Sequence, residues 1–247
     1  PSADAARERA LASIAASVQR GDLADAAGVT AALETGTDVA AFADAGLVIE
    51  AVPEDRDLKV DALTRIEAVL EADAVLASNT SSISIDTLAA SLARPDRFLG
   101  LHFFNPVPAS KLVELVVGSA TDAAVVADGR DWITALGKTP VVVRDSPGFA
   151  SSRLGVMLGL EAIRMLEEGV ADAADIDAAM ELGYRHPMGP LRTTDIVGLD
   201  VRLGIAEELA RELGSRFEPP ALLRRMVAEG KLGRKSGEGF YVWNEER

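Results

Sequence analysis

Short apolar runs punctuate the first half of the chain: "LVIEAV" (47–52), "AVLASNT" (74–80), "FLGLHFF" (98–104), "LVELVVG" (112–118) and "PVVVRD" (140–145). Each is partly β-branched and bounded by turn residues, the pattern of strands buried on both faces. Between several of them lie "RDLKVDALTRIEAVLEA" and "DAAVVADGRDWITALG", where the spacing is helical. Alternating strands and helices predict an α/β domain built on a parallel, doubly wound sheet. The links shorten from residue 98 on, so part of the sheet is expected to be antiparallel. Upstream, Leu11, Ile14 and Val18 predict a helix over 5–20, with Ser2 or Asp4 as its cap. Residues 29–40 read as a short, weak strand-turn region.

After Asp145 the pattern changes. "SPGFASSRLGVMLGLEAIRMLEEG" reads as a helix with Ser-Pro at its entry and Gly169 at its exit. Helical periods continue over 172–182, about 195–213 and 219–230. "GFYVW" then reads as an extended tail. The division predicted is an α/β domain over 1–145 followed by an all-helical domain over 146–247.

Composition narrows the function classes. The 247 residues are 48% hydrophobic, enough for a sizeable core, and carry a net charge of −14. Such a chain repels phosphate backbones, so no nucleic-acid partner is expected. No apolar run is long enough for a membrane span, and no signal-peptide pattern is visible. Cysteine is absent and histidine occurs twice. Thiolate chemistry is excluded, no metal site is expected, and a cytoplasmic location fits.

The scarcity of histidine draws attention to "GLHFFNP" (100–106), where His102 ends an apolar strand. Imidazole exchanges protons near neutral pH. Glu114 lies on the next strand, and if the two strands are neighbours its carboxylate can fix the tautomer and stabilise the imidazolium. Spacing alone also permits a core histidine and a surface glutamate. "SNTSS" (78–82) follows another strand, at the end where open α/β sheets bind ligands, though hydroxyls there also cap helices. In "EAVPEDRDLK" (50–59), Glu54 and Lys59 are candidates for a bound ligand, with a solvated first helical turn as the alternative. Lys235 in "GRKSGEGFY" reads equally as an ordinary basic turn, and His186 as a loop residue without a proton-transfer role.

In one order, the chain carries "SNTSSISI", "GLHFFNPVPASKLVELV", "DSPGFASSRL", "AMELGYRHPMGPLRTTDIVGLD" and "KLGRKSGEGFYVW". Together they resemble the 3-hydroxyacyl-CoA dehydrogenase family, 3-hydroxybutyryl-CoA dehydrogenases included, over essentially the whole chain. The resemblance implies a Rossmann-type sheet, NAD as cofactor, and oxidation of a (3S)-hydroxyacyl-CoA to the 3-ketoacyl-CoA. By that likeness His102 takes the hydroxyl proton, Glu114 supports it, Ser81 hydrogen-bonds the substrate oxygen, and Asn105 sits where nicotinamide and substrate meet. Ala51, Glu54, Lys59 and Lys235 match cofactor-contacting positions, Ser17 matches a coenzyme A contact, and the helical domain forms a homodimer.

The chain departs from the family pattern in two ways. Ser152 stands where the family has Asn, exchanging an amide for a shorter hydroxyl. No G-x-G-x-x-G occurs before residue 50, so the resemblance implies an N-terminally incomplete Rossmann sheet that binds NAD poorly by itself. The alternative function is a non-catalytic acyl-CoA binder or structural dimer of the same fold. Acyl-chain preference is not readable. Arg185 and Arg192 could pair with a terminal carboxylate, although surface arginines are common.

Overall fold

The computed structural model describes residues 3–243. The chain divides into two compact units. One runs to Thr80 and then takes Ile85–Val142; the other takes Ser81–Ser84 and the chain from Val143 onward.

The first unit opens with α1 (Ala3–Gln19) and α2 (Ala26–Ala32). Ser2 lies outside the described residues, and Asp4 sits inside the first turn rather than capping it. The strand-turn reading of 29–40 is corrected: α2 and a 3₁₀ turn at Val39–Phe42 occupy that region. Asp25 and Asp38 start them, each accepting from the backbone N–H two residues on. These elements bury no residue, so no apolar stripe announced them.

The sheet follows as β1 (Leu47–Glu50), α3 (Arg56–Glu67), β2 (Val75–Ser78), α4 (Ile85–Ala89), β3 (Phe98–Phe103), β4 (Leu112–Val117), α5 (Ala123–Ala135) and β5 (Thr139–Arg144). Spatial order equals chain order. β1, β2 and β3 are parallel, and β4 runs antiparallel to β3, as the shortened links predicted. All four residues of β2 are buried, which is why that segment reads as an apolar run without alternation. Leu99, Leu101, Val113 and Leu115 meet Val125 and Ile133 of α5 in one core. At Gly100 a β-carbon would stand 2.8 Å from Val116 Cβ and 2.9 Å from Ile85 Cδ1, so glycine sets how closely α4 and β4 approach β3.

The second unit is helical: α6 (Ser151–Glu167), α7 (Ala173–Tyr184), α8 (Pro190–Val197), α9 (Leu199–Leu213) and α10 (Ala221–Ala228). α6 starts after the predicted Ser-Pro entry because Gly148 and Phe149 turn through positive φ (73° and 49°). The single helical period near 195–213 is two helices, broken at Gly198 with φ 103°. Val156, Leu160, Ile163, Leu191, Leu199 and Leu209 form its core. The tail is not merely extended. Fully buried Asp195 accepts from Phe240 N (2.9 Å), Tyr241 N (2.9 Å) and Trp243 Nε1 (2.7 Å). Tyr241 also donates its hydroxyl to Asp177 at 2.8 Å.

Candidate functional site

The pleat of β3 and β4 brings the scarce histidine and its acid together. His102 and Glu114 are directly opposed in the antiparallel register, and on a sheet such partners share one face. His102 Nδ1 lies 2.8 Å from Glu114 Oε2. Both side chains are nearly removed from solvent, at 7% and 1% exposure. A carboxylate only accepts, so Nδ1 carries the proton and the ring's basic nitrogen is Nε2. Phe104 packs on the ring at 4.6 Å between centroids and a tilt of 52°. The opening half of the constellation is therefore a buried imidazole of fixed tautomer.

A second cluster sits at the C-terminal ends of β1 and β2. Lys59, from the first turns of α3, is 1% exposed. Its ammonium donates to Glu50 Oε1 at 2.8 Å and Val52 O at 3.1 Å, and pairs with Glu54 Oε2 at 3.3 Å. The solvated-turn alternative is thereby corrected for Lys59: the side chain is buried and its charge is paired inside. An ammonium has three donors, and these three acceptors use them. Ser78 Oγ donates to the other oxygen of Glu50 at 2.6 Å, and Thr80 Oγ1 to Glu54 Oε1 at 2.6 Å. The network ties the loop after β1 to the end of β2. Asn79 links the two clusters, accepting from Phe103 N at 2.8 Å.

Glu50, Ser78 and Thr80 belong to this network; Ser78 and Thr80 lie in the singled-out "SNTSS" stretch, whereas Glu50 was not named as a candidate. The available signal was Glu50 itself, a charge inside the apolar run "LVIEAV". Ala51 is exposed just beyond β1, and Asn105 is exposed two residues beyond β3. Ser17 lies on α1, where Arg20 donates to its hydroxyl at 3.1 Å. Ser81, Ser152 and Lys235 belong to the other unit. There Ser152 is half-buried in the first turn of α6, and Lys235 donates to Asp200 at 2.6 Å.

The donor set suits a dinucleotide. Strand ends of a parallel sheet present Ala51 with only a methyl side chain, a Glu54 carboxylate held by Lys59 and Thr80 among its partners, and an Asn79 amide. The amide Nδ2 of Asn79 has no protein acceptor among the described residues. Among those residues no helix is long and apolar enough to cross a membrane.

Comparison with known proteins agrees with the geometry. Residues 2–146 match the NAD binding domain of 3-hydroxyacyl-CoA dehydrogenase, and residues 148–243 match its C-terminal domain. A probable 3-hydroxybutyryl-CoA dehydrogenase of Deinococcus radiodurans is 45% identical over 84% of this chain and 75% of its own length. The mitochondrial hydroxyacyl-coenzyme A dehydrogenase of Sus scrofa is 42% identical over 85% of this chain and 68% of its own. The crystal structure of (S)-3-hydroxybutyryl-CoA dehydrogenase from Ralstonia eutropha superposes with a TM-score of 0.93 at 42% identity, covering 98% of this chain and 88% of that one. These relatives are named as enzymes, so the non-catalytic alternative is not favoured. The chain belongs to the 3-hydroxyacyl-CoA dehydrogenase family, with an NAD-binding α/β domain followed by a helical C-terminal domain.

Proposed function

We propose that the chain oxidises the C3 alcohol of a (3S)-3-hydroxyacyl-CoA to the 3-ketoacyl-CoA, with His102 as the base. The observation that carries this is the buried His102–Glu114 pair at 2.8 Å. Glu114 holds the proton on Nδ1, so Nε2 receives the hydroxyl proton as the carbonyl forms. The imidazolium that results sits against a carboxylate in a medium of low dielectric, where the attraction is strong. NAD, when bound, takes the hydride from C3. Lys59 fixes Glu54 and the loop after β1, with Ala51 and Asn79, as the edge on which the cofactor is held. Ser81 and Asn105 hydrogen-bond the reacting oxygen and the carboxamide, Ser152 contributes the acyl contact, and Ser17 and Lys235 meet the outer parts of coenzyme A and cofactor. In this reading the enzyme works in the cytoplasm as a homodimer joined through the helical unit, whose Leu154 (71% exposed) and Val201 (44%) offer apolar surface.

The test is NADH formation from 3-hydroxybutyryl-CoA by the wild type and by His102→Gln. The substitution should lower kcat by about 10²–10⁴, the worth of a positioned base, with an unchanged melting temperature. Turnover by the variant within tenfold of wild type would refute the assignment.

A further inference from the structure

Residues 104–111 join β3 to β4, a longer link than the roughly 2–5 residues of an ordinary hairpin loop. The link begins beside the base: Phe104 packs on the His102 ring, and Asn105 follows it. Beyond Asn105 the backbone turns on itself, with Ala109 N and Ser110 N both donating to Pro106 O, at 3.0 and 3.1 Å. Those bonds shape the turn but do not tie it to the sheet. Residues 105–109 are exposed, so burial does not hold it either.

Lys138 supplies the tie. Its ammonium donates to Val107 O at 2.6 Å and to Ser110 O at 2.5 Å. Among the described residues no other side chain from outside 104–111 hydrogen-bonds this link. The end of α5 sets where Lys138 stands. Gly137 N donates to Thr134 O at 2.9 Å and Lys138 N to Ile133 O at 3.1 Å, with Gly137 in the left-handed region at φ 69°. This pair of bonds closes the helix by backbone alone, which leaves the Lys138 side chain for the link. The next residue, Thr139, donates its N–H to Lys111 O at 2.6 Å, so backbone and side chain grip the same segment. Both acceptors of the ammonium are neutral carbonyls. A charged donor makes a stronger bond to them than a neutral one, and the negative end of α5 favours a cation here.

We propose that Lys138 is a positioning residue for the reaction, clamping the β3–β4 link so that Phe104 and Asn105 keep their places beside His102. This rests on the dehydrogenase reading above and adds to it a residue that acts through the link rather than on the reacting atoms. Asn105 is the residue which that reading sets where nicotinamide and substrate meet, and Phe104 packs against the imidazole itself. A link free to shift by about 1 Å would carry both out of place, and a misplacement of that size costs roughly 10²-fold in rate. Lys138, Val107, Ser110, Phe104 and His102 all belong to one compact unit, so the whole line of contacts lies within it.

The chain contains no cysteine, which allows the ammonium to be removed and rebuilt. In Lys138→Cys the introduced thiol is the sole one. Alkylation with 2-bromoethylamine makes a side chain of lysine length that ends in an amine, and alkylation with iodoacetamide makes a neutral one. kcat and KM for 3-hydroxybutyryl-CoA are measured for these two forms, for Lys138→Met and for the wild type, together with amide hydrogen exchange over 104–111. Lys138→Met and the neutral alkylated form should lose roughly 10- to 100-fold in kcat, with a smaller change in KM. The aminoethylated form should regain most of that loss. Exchange at Ala109 and Ser110 should run about tenfold faster without the ammonium, as for the loss of one charge-assisted hydrogen bond. A kcat for Lys138→Met within about threefold of wild type overturns the proposal. So does a loss that aminoethylation does not restore, or one that follows a lowered melting temperature with exchange over 104–111 unchanged. If Lys138→Met does not fold, the two alkylated forms of Lys138→Cys give the same comparison. Failure of the wild type to turn over any 3-hydroxyacyl thioester would refute the dehydrogenase reading, while the exchange difference still decides whether Lys138 holds the link.

Discussion

Lys59 and Glu114 show how much a single buried partner carries. Replacing Lys59 by Met leaves Glu50, at 7% exposure, without its counter-charge. The expected loss is about 3–5 kcal/mol by urea unfolding. Pairing Lys59→Met with Glu50→Gln should return much of that loss, a non-additivity that a pair of independent surface charges would not show. Glu114→Gln keeps the shape beside His102 but removes the charge that steadies the imidazolium. It should lower kcat on 3-hydroxybutyryl-CoA by roughly 10²-fold or more, with a smaller effect on KM, measured by NADH formation. At this scale the sequence was uneven. His102 and Glu114 were legible because each stands alone in an apolar strand and the antiparallel link was short enough to oppose them. Lys59 was legible as a candidate ligand contact but not as a buried ion-pair partner, since a charge on an amphipathic helix reads as solvated until the packing around it is seen.

Among the elements, legibility followed the apolar pattern. The five strands were readable because β2 and β3 are apolar on both faces. α1 was readable from its spacing. The break between α8 and α9 was hidden, because Gly198 interrupts the helix without interrupting the apolar period. α2 was missed because its seven residues, AAGVTAA, carry a single large apolar side chain and so set no period. Two tests belong here. Gly100→Ala inserts a carbon between β3, β4 and α4 and should cost about 1–3 kcal/mol, read as a lower urea midpoint with an unchanged slope. Tyr241→Phe breaks the tail's bond to Asp177 and should cost about 1 kcal/mol at neutral pH. Burial, then Asp177, pushes the Tyr241 phenol upward. Its contribution is therefore present in full below the unfolded value near pH ~10 and is lost as pH rises through the folded value. Wild type should weaken over that alkaline window, and Tyr241→Phe should weaken less.

For the whole molecule, each unit has its own apolar core, and the net charge of −14 disfavours nucleic-acid backbones. Sedimentation should return twice the chain mass if the helical unit pairs, and Leu154→Asp should return the single-chain mass. The way the C-terminus is anchored has a practical corollary. One carboxylate, that of Asp195, gathers two backbone N–H groups and an indole from the final stretch. Clipping the polypeptide before Phe240 would strand that anion in a dry interior. Affinity handles and protease sites are therefore best placed after Trp243, and a preparation that loses its tail in storage should lose its helical unit first.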